Sequence, residues 1–191
     1  YALTHPGVNV ALVGYNSDLT KELLDKVKTF YRTTPDKLKP TLQYNSKFEI
    51  SFPQLESKIM VLPSTEYVGR GYTIHFALLT ELAFWENAEE KMSVLEASVP
   101  VNGKIVIEST PNLVGDHFHR MWMADNGYAK REYGWWWHYS QAEADQIAMR
   151  LNNPMKFARE YSLEFMSSGR SVFDIMTIKR QRKNILNVGD K

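Results

Sequence analysis

Apolar positions along the chain follow two rhythms. Residues 8–14 form a short, almost unbroken apolar run ending in Gly14, the pattern of a strand covered on both faces. Residues 74–79 and 104–108 repeat it, which predicts two further buried strands. Phe48, Ile50 and Phe52 alternate with polar residues, as do Ile59 and Val61, and the turn-rich stretch 53–57 between them predicts an antiparallel hairpin. The ring-rich stretch 133–139 reads as one more strand, in which Trp135, Trp136 and Trp137 could stack on bases but more simply alternate, with core on one face.

Elsewhere the spacing is helical. Leu19, Leu23, Val27 and Phe30 share one face of a helix opened by Ser17 as N-cap. A second helix spans 86–98, with Met92, Leu95 and Val99 on one side, and a third spans 116–125. Ser140 and Glu143 make a capping box for a helix reaching Leu151. Asn153 and Pro154 open another that runs to about Phe165. Gly69 and Gly71 make the loop around Arg70 read as flexible. Residues 167–169 read as a linker, and 179–183 as a basic segment, more simply a solvated face than a DNA contact.

Apolar strands separated by helices predict an α/β domain with a largely parallel sheet and helices on both faces. Such sheets take their ligands at the carboxyl ends of the strands. The residues standing there are Glu81, after the second apolar strand, and Ser109 and Thr110, after the third.

Composition narrows the chemistry. The 191 residues hold no cysteine, which excludes disulfides, thiolate metal sites and thiol catalysis. The formal net charge is +1, so any nucleic-acid contact must come from a local patch. No apolar run is long enough to cross a bilayer, and the first residues lack a signal-peptide pattern. His117 and His119, two apart on a helix, diverge and do not suggest a metal site.

Two segments carry the candidate chemistry. In 76–81, Phe-Ala-Leu-Leu-Thr-Glu, a carboxylate ends a buried strand, where it can orient and deprotonate a water. In 104–112 a strand ends in Ser109-Thr110-Pro111, placing two hydroxyls at the same sheet edge. Taken alone, each also reads as an ordinary strand-end turn. Their order and spacing, together with Val68-Gly69-Arg70-Gly71-Tyr72-Thr73, Leu82-Ala83-Phe84-Trp85-Glu86, residues 118–127, Phe157-Ala158-Arg159-Glu160-Tyr161 and Glu164-Phe165, resemble the large terminase subunit of tailed bacteriophages.

That resemblance implies a phosphate-loop ATPase fold, and a parent protein that couples ATP hydrolysis to movement of double-stranded DNA into a capsid. Glu81 then matches the catalytic glutamate, and Ser109, Thr110 and Pro111 the motif coupling hydrolysis to DNA movement. Arg70 matches an arginine that some members offer to the neighbouring subunit's nucleotide. It further implies ATP and Mg2+ as cofactors, and double-stranded DNA, a portal protein and a small terminase subunit as partners. A homo-oligomeric ring and the cytoplasm of a bacterial host complete the implied setting. The expected division is 1–166 as ATPase domain and 167–191 as linker towards a nuclease domain.

Three departures accompany the likeness. No Gly-x-x-x-x-Gly-Lys-Ser/Thr phosphate loop occurs in the 191 residues, where the one Gly-Lys pair, Gly103-Lys104, is followed by Ile105. Thr80 stands where the family has an aspartate for the Mg2+ shell. The acidic cluster of the family's nuclease is absent from the sequence. The expectation is a chain that does not hydrolyse ATP unaided; the alternatives are a catalytically inactive prophage remnant or a helicase-like ATPase fragment.

Overall fold

The computed structural model describes residues 1–167, so most of the expected linker and the basic segment 179–183 lie outside the described residues. The chain divides into two compact units, Tyr1–Ser109 and Thr110–Lys191.

The first unit is built on a six-stranded sheet. Its strands are β1 (Asn9–Gly14), β2 (Tyr44–Asn45), β3 (Glu49–Phe52), β4 (Ser57–Pro63), β5 (Phe76–Thr80) and β6 (Lys104–Glu108), in the order β2-β3-β4-β1-β5-β6. The four strands β4, β1, β5 and β6 run parallel, while β2 and β3 pair antiparallel at one edge. The expected hairpin is β3–β4, closed by a turn at Pro53–Leu55 and by Glu56 in the left-handed region.

Register fixes the faces. Val10 pairs with Ile59 and Phe76, and Leu12 with Val61 and Leu78, so these side chains share one face. Against them packs α1 (Ser17–Thr33), with Leu23, Leu24, Val27 and Tyr31 joining Ile50 and Phe52 in a single apolar cluster. Ala11, Val13, Met60, Ala77 and Leu79 alternate to the opposite face and are buried as fully, as are Met92 and Leu95 of α2 (Ala88–Glu96). Burying one such side chain removes roughly 1.5–3 kcal/mol of unfavourable apolar exposure.

Several expectations need correction. The N-cap of α1 is Asn16, whose side chain accepts from the Asp18 and Leu19 amides; Ser17 is already helical. Phe30 lies off the apolar stripe and is exposed. The third apolar run, β6, is not buried on both faces. Among the described residues it is an edge strand with β5 as its one neighbour, and Lys104, Val106 and Glu108 are exposed. The loop around Arg70 is pinned rather than loose, since Val68 and Gly69 are buried and the turn is closed by Arg70 N–H to Tyr67 O and Tyr72 N–H to Gly69 O.

The second unit contains α3 (His117–Met123), α4 (Gln141–Leu151) and α5 (Pro154–Glu160). Asp116 caps α3, the expected Ser140–Glu143 capping box opens α4, and Asn153 with Pro154 opens α5. Phe118 packs its ring against Trp122 and Phe165, and a parallel bridge joins Leu113 to Met166. The aromatic stretch is not a strand. Residues Trp135–Trp137 form one short 3-10 turn, closed by the Trp137 amide to Gly134 O and the His138 amide to Trp135 O, while the Trp135 amide goes to Tyr161 O rather than into a strand ladder.

Candidate functional site

Because β4, β1, β5 and β6 run parallel, their carboxyl ends meet at one edge of the sheet. Gly14 lies beside Pro63, and Thr80 beside Glu108, in register. The first turn of α1 crosses this edge closely: a Cβ on Gly14 would stand 2.5 Å from Thr20 Oγ1, which explains the glycine ending β1.

Glu81 follows β5 and adopts the left-handed conformation, φ 57° and ψ 40°. A non-glycine residue there costs on the order of 1 kcal/mol or more and persists only where its surroundings impose it. The surroundings are specific. The Glu81 amide donates to Glu108 O (2.8 Å), and the Ala83 amide donates to Ser109 Oγ (3.1 Å). The buried Trp85 donates its Nε1–H to Thr80 O (2.9 Å), and the Phe84 amide returns to Glu81 O (3.0 Å). The end of β6 and one indole thus hold the turn that carries the carboxylate.

Charge is concentrated at the same place. The protein packed around the Glu108 carboxyl pushes its pKa above the ordinary value, the neighbouring Glu81 carboxylate pushes it further, and Lys26 opposes both. The charges of the two carboxylates therefore repel at this edge.

Each expected site residue can now be placed. Glu81 and Ser109 are brought together through the Ala83 amide. Thr80 is 2% exposed, and its hydroxyl is turned inward to Val13 O at 3.5 Å. It does not fit a role in a Mg2+ shell. Arg70 is exposed, with its guanidinium 5.2 Å above the Tyr67 ring. Gly69 behind it has φ +80°, and a Cβ there would meet Leu95, Ile74 and Ser98 at 3.0–3.2 Å, so the arginine projects from a fixed turn. Thr110 and Pro111 open the second unit, so the division between the units falls inside the Ser109-Thr110-Pro111 motif.

Sequence reasoning did not assign Trp85 or Glu108. Glu108 carried a signal, a carboxylate in register with the end of the glutamate strand. Trp85 carried none, because an indole four residues past a glutamate does not reveal which carbonyl it reaches.

For a nucleotide the fit is partial. The strand-end carboxylate and hydroxyl are present, but no phosphate cradle occurs among these residues and Thr80 is turned away. Among the described residues no group of three or more His, Cys, Asp or Glu could hold a metal ion, and no helix is long and apolar enough to cross a membrane.

No protein-family model matches the chain, and no curated protein sequence matches it. Solved structures do. The large terminase of a thermophilic bacteriophage, in complex with ADP, aligns with a TM-score of 0.69 at 11% identity, covering 86% of this chain and 42% of that one. Its complex with ATP-gamma-S aligns with a TM-score of 0.64 at 9% identity, over 86% and 41%. The large terminase ATPase domain of Thermus phage P74-26 aligns with a TM-score of 0.55 at 18% identity, over 84% and 78%. The chain therefore spans about two fifths of the first of these proteins. What is shared at such identities is the fold, and the fold of this chain is that of the ATPase region of phage large terminases.

Proposed function

We propose that this chain is the ATPase region of a viral DNA-packaging motor, whose parent protein couples ATP hydrolysis to translocation of double-stranded DNA. The observation that carries the reading is Glu81, held in a left-handed turn at the carboxyl edge of a parallel sheet by the end of the next strand. In this reading Glu81 orients and deprotonates the attacking water. Ser109 ties the Glu81 turn to the point where the chain enters its second unit, and Thr110 and Pro111 carry the change onward. Arg70, on its fixed turn, reaches the nucleotide of an adjacent copy in a homo-oligomeric ring. ATP and Mg2+ are the cofactors, and the portal protein and small terminase subunit the partners. Because none of the 191 residues supplies a phosphate cradle, turnover needs residues beyond them, and Mg2+ must be held without Thr80.

Phosphate release tests this. The 191-residue chain is expected to give none above a no-enzyme blank. A longer protein containing these residues is expected to turn over ATP, and Glu81→Gln should lower its kcat by about 10²–10⁴-fold while leaving its folding intact. Arg70→Ala should abolish turnover in the assembled ring, with activity partly recovered on mixing with Glu81→Gln. The inward-facing Thr80 hydroxyl favours one rival, a catalytically inactive remnant. A folded longer protein with no turnover would establish that rival, and turnover insensitive to Glu81→Gln would remove Glu81 from the chemistry.

A further inference from the structure

The second unit displays an aromatic surface. Tyr133, Trp136, Trp137 and Tyr139 are all exposed, Trp137 at 62% and Trp136 at 48%. Large rings on a surface lose the hydrophobic gain of burial, so a cluster of four within seven residues calls for a partner. We propose that this aromatic turn binds single-stranded nucleic acid by stacking its bases.

The turn is preformed. The Trp135 amide donates to Tyr161 O (2.9 Å), and the His138 and Tyr139 amides return to Trp135 O (3.0 and 2.8 Å). Trp136 folds its six-membered ring over Gly134, where a Cβ would lie 2.2–2.7 Å from the ring carbons, so only glycine leaves room for it. The Tyr133 and Trp137 rings stand 5.7 Å apart and tilted, and Tyr139 packs against Tyr161. Rings already fixed in place lose little entropy when a base stacks on them.

Ring chemistry and charge together point to the occupant. Residues 128–140 contain four tyrosine or histidine rings, three tryptophans and not one Leu, Ile, Val or Met. Such rings suit a base, which needs a flat face and a nearby cation. Two cations precede the rings. Lys130 is held to Ala124 O, and Arg131 is exposed with its guanidinium on Lys130 O (2.9 Å). Phosphates of a bound strand would favour these two side chains, with the exposed Glu132 beside them opposing. Duplex bases are already stacked on one another, so the surface discriminates in favour of single strands. The inference does not depend on the ATPase reading.

The test uses the 191-residue chain and a labelled oligothymidylate of about 20 nucleotides, long enough to span a typical single-strand site, with a duplex of equal length beside it. The single strand is expected to quench tryptophan emission and to bind more tightly than the duplex. Trp137→Ala should weaken single-strand binding about 5- to 100-fold, one stacked base being worth roughly 1–3 kcal/mol, without lowering Tm. Gly134→Ala, which displaces Trp136, should weaken it separately, and Arg131→Ala should reduce the salt dependence. The basic run 179–183 attracts phosphates of either form and is untouched by Trp137→Ala. Equal affinity for duplex and single strand, or single-strand affinity unchanged in folded Trp137→Ala, overturns the proposal. Concentration-dependent self-association lost in Trp137→Ala, with no single-strand preference, overturns it in favour of a protein partner.

Discussion

Strands β1 and β6 look alike as sequence and differ as structure. Both are apolar runs, yet every residue of β1 after Asn9 is buried, while β6 alternates between exposed and half-buried positions. The difference is one of neighbours. β1 is paired on both sides, by β4 and β5, and lies under α1, whereas among the described residues β6 has β5 alone. Apolarity therefore measures what a strand can tolerate, and its place in the order decides what it receives. The edge position is also where chemistry collects, since the open end of β6 supplies Glu108 and Ser109 to the turn that carries Glu81.

The sharpest way to break the comparison is to shorten one side chain on each kind of strand. Leu79 of β5, paired on both sides like β1, is fully buried; Leu79→Ala should cost about 2–5 kcal/mol, from lost apolar transfer and a cavity its neighbours cannot fill. Val106, 43% exposed on β6, should lose less than about 1 kcal/mol on Val106→Ala. Urea unfolding monitored by far-ultraviolet circular dichroism reads both. Equal losses would mean that something covers β6 in solution.

A smaller effect is expected where β5 and β6 end side by side. Trp85→Phe keeps most of the buried ring but leaves Thr80 O without its indole donor, a loss of roughly 1–3 kcal/mol. Amide exchange at Glu81 and Ala83 should quicken more than exchange along β1, because the indole restrains that turn in particular. Uniform quickening across the sheet would show that Trp85 acts only as core.

Much of the fold was legible because periodicity is local. Buried runs gave β1 and β5, alternation gave the hairpin β3–β4, and cap chemistry gave the starts of α4 and α5. The aromatic stretch was misread because alternation around three tryptophans looks the same in a strand and in a short turn. Only the pairing partner, which no local pattern encodes, separates the two. At the candidate site the carboxylate and hydroxyls were legible as strand-end residues. The left-handed Glu81, the Trp85 donor and the inward Thr80 hydroxyl were not, since each depends on which carbonyl another strand brings near.

The smallest effect concerns the pair of carboxylates. Burial and Glu81 raise the pKa of Glu108, so the folded protein holds that proton at pH values where the unfolded chain has released it. The contribution is thus fully present below the unfolded value, near the ordinary 4.5, and is lost as pH rises through the folded value above it. Glu108→Gln removes the ionisation but keeps the shape. Its Tm should match that of the parent chain in acid and exceed it progressively above about pH 4.5, by no more than about 2 °C because the Glu108 side chain, though partly packed, keeps contact with solvent that screens it. Lys26 tempers the repulsion, so Lys26→Ala should widen the gap between Glu108 and its Gln variant at neutral pH. Parallel melting curves across the whole pH range, with and without Lys26, would show that the two carboxylates do not sense each other.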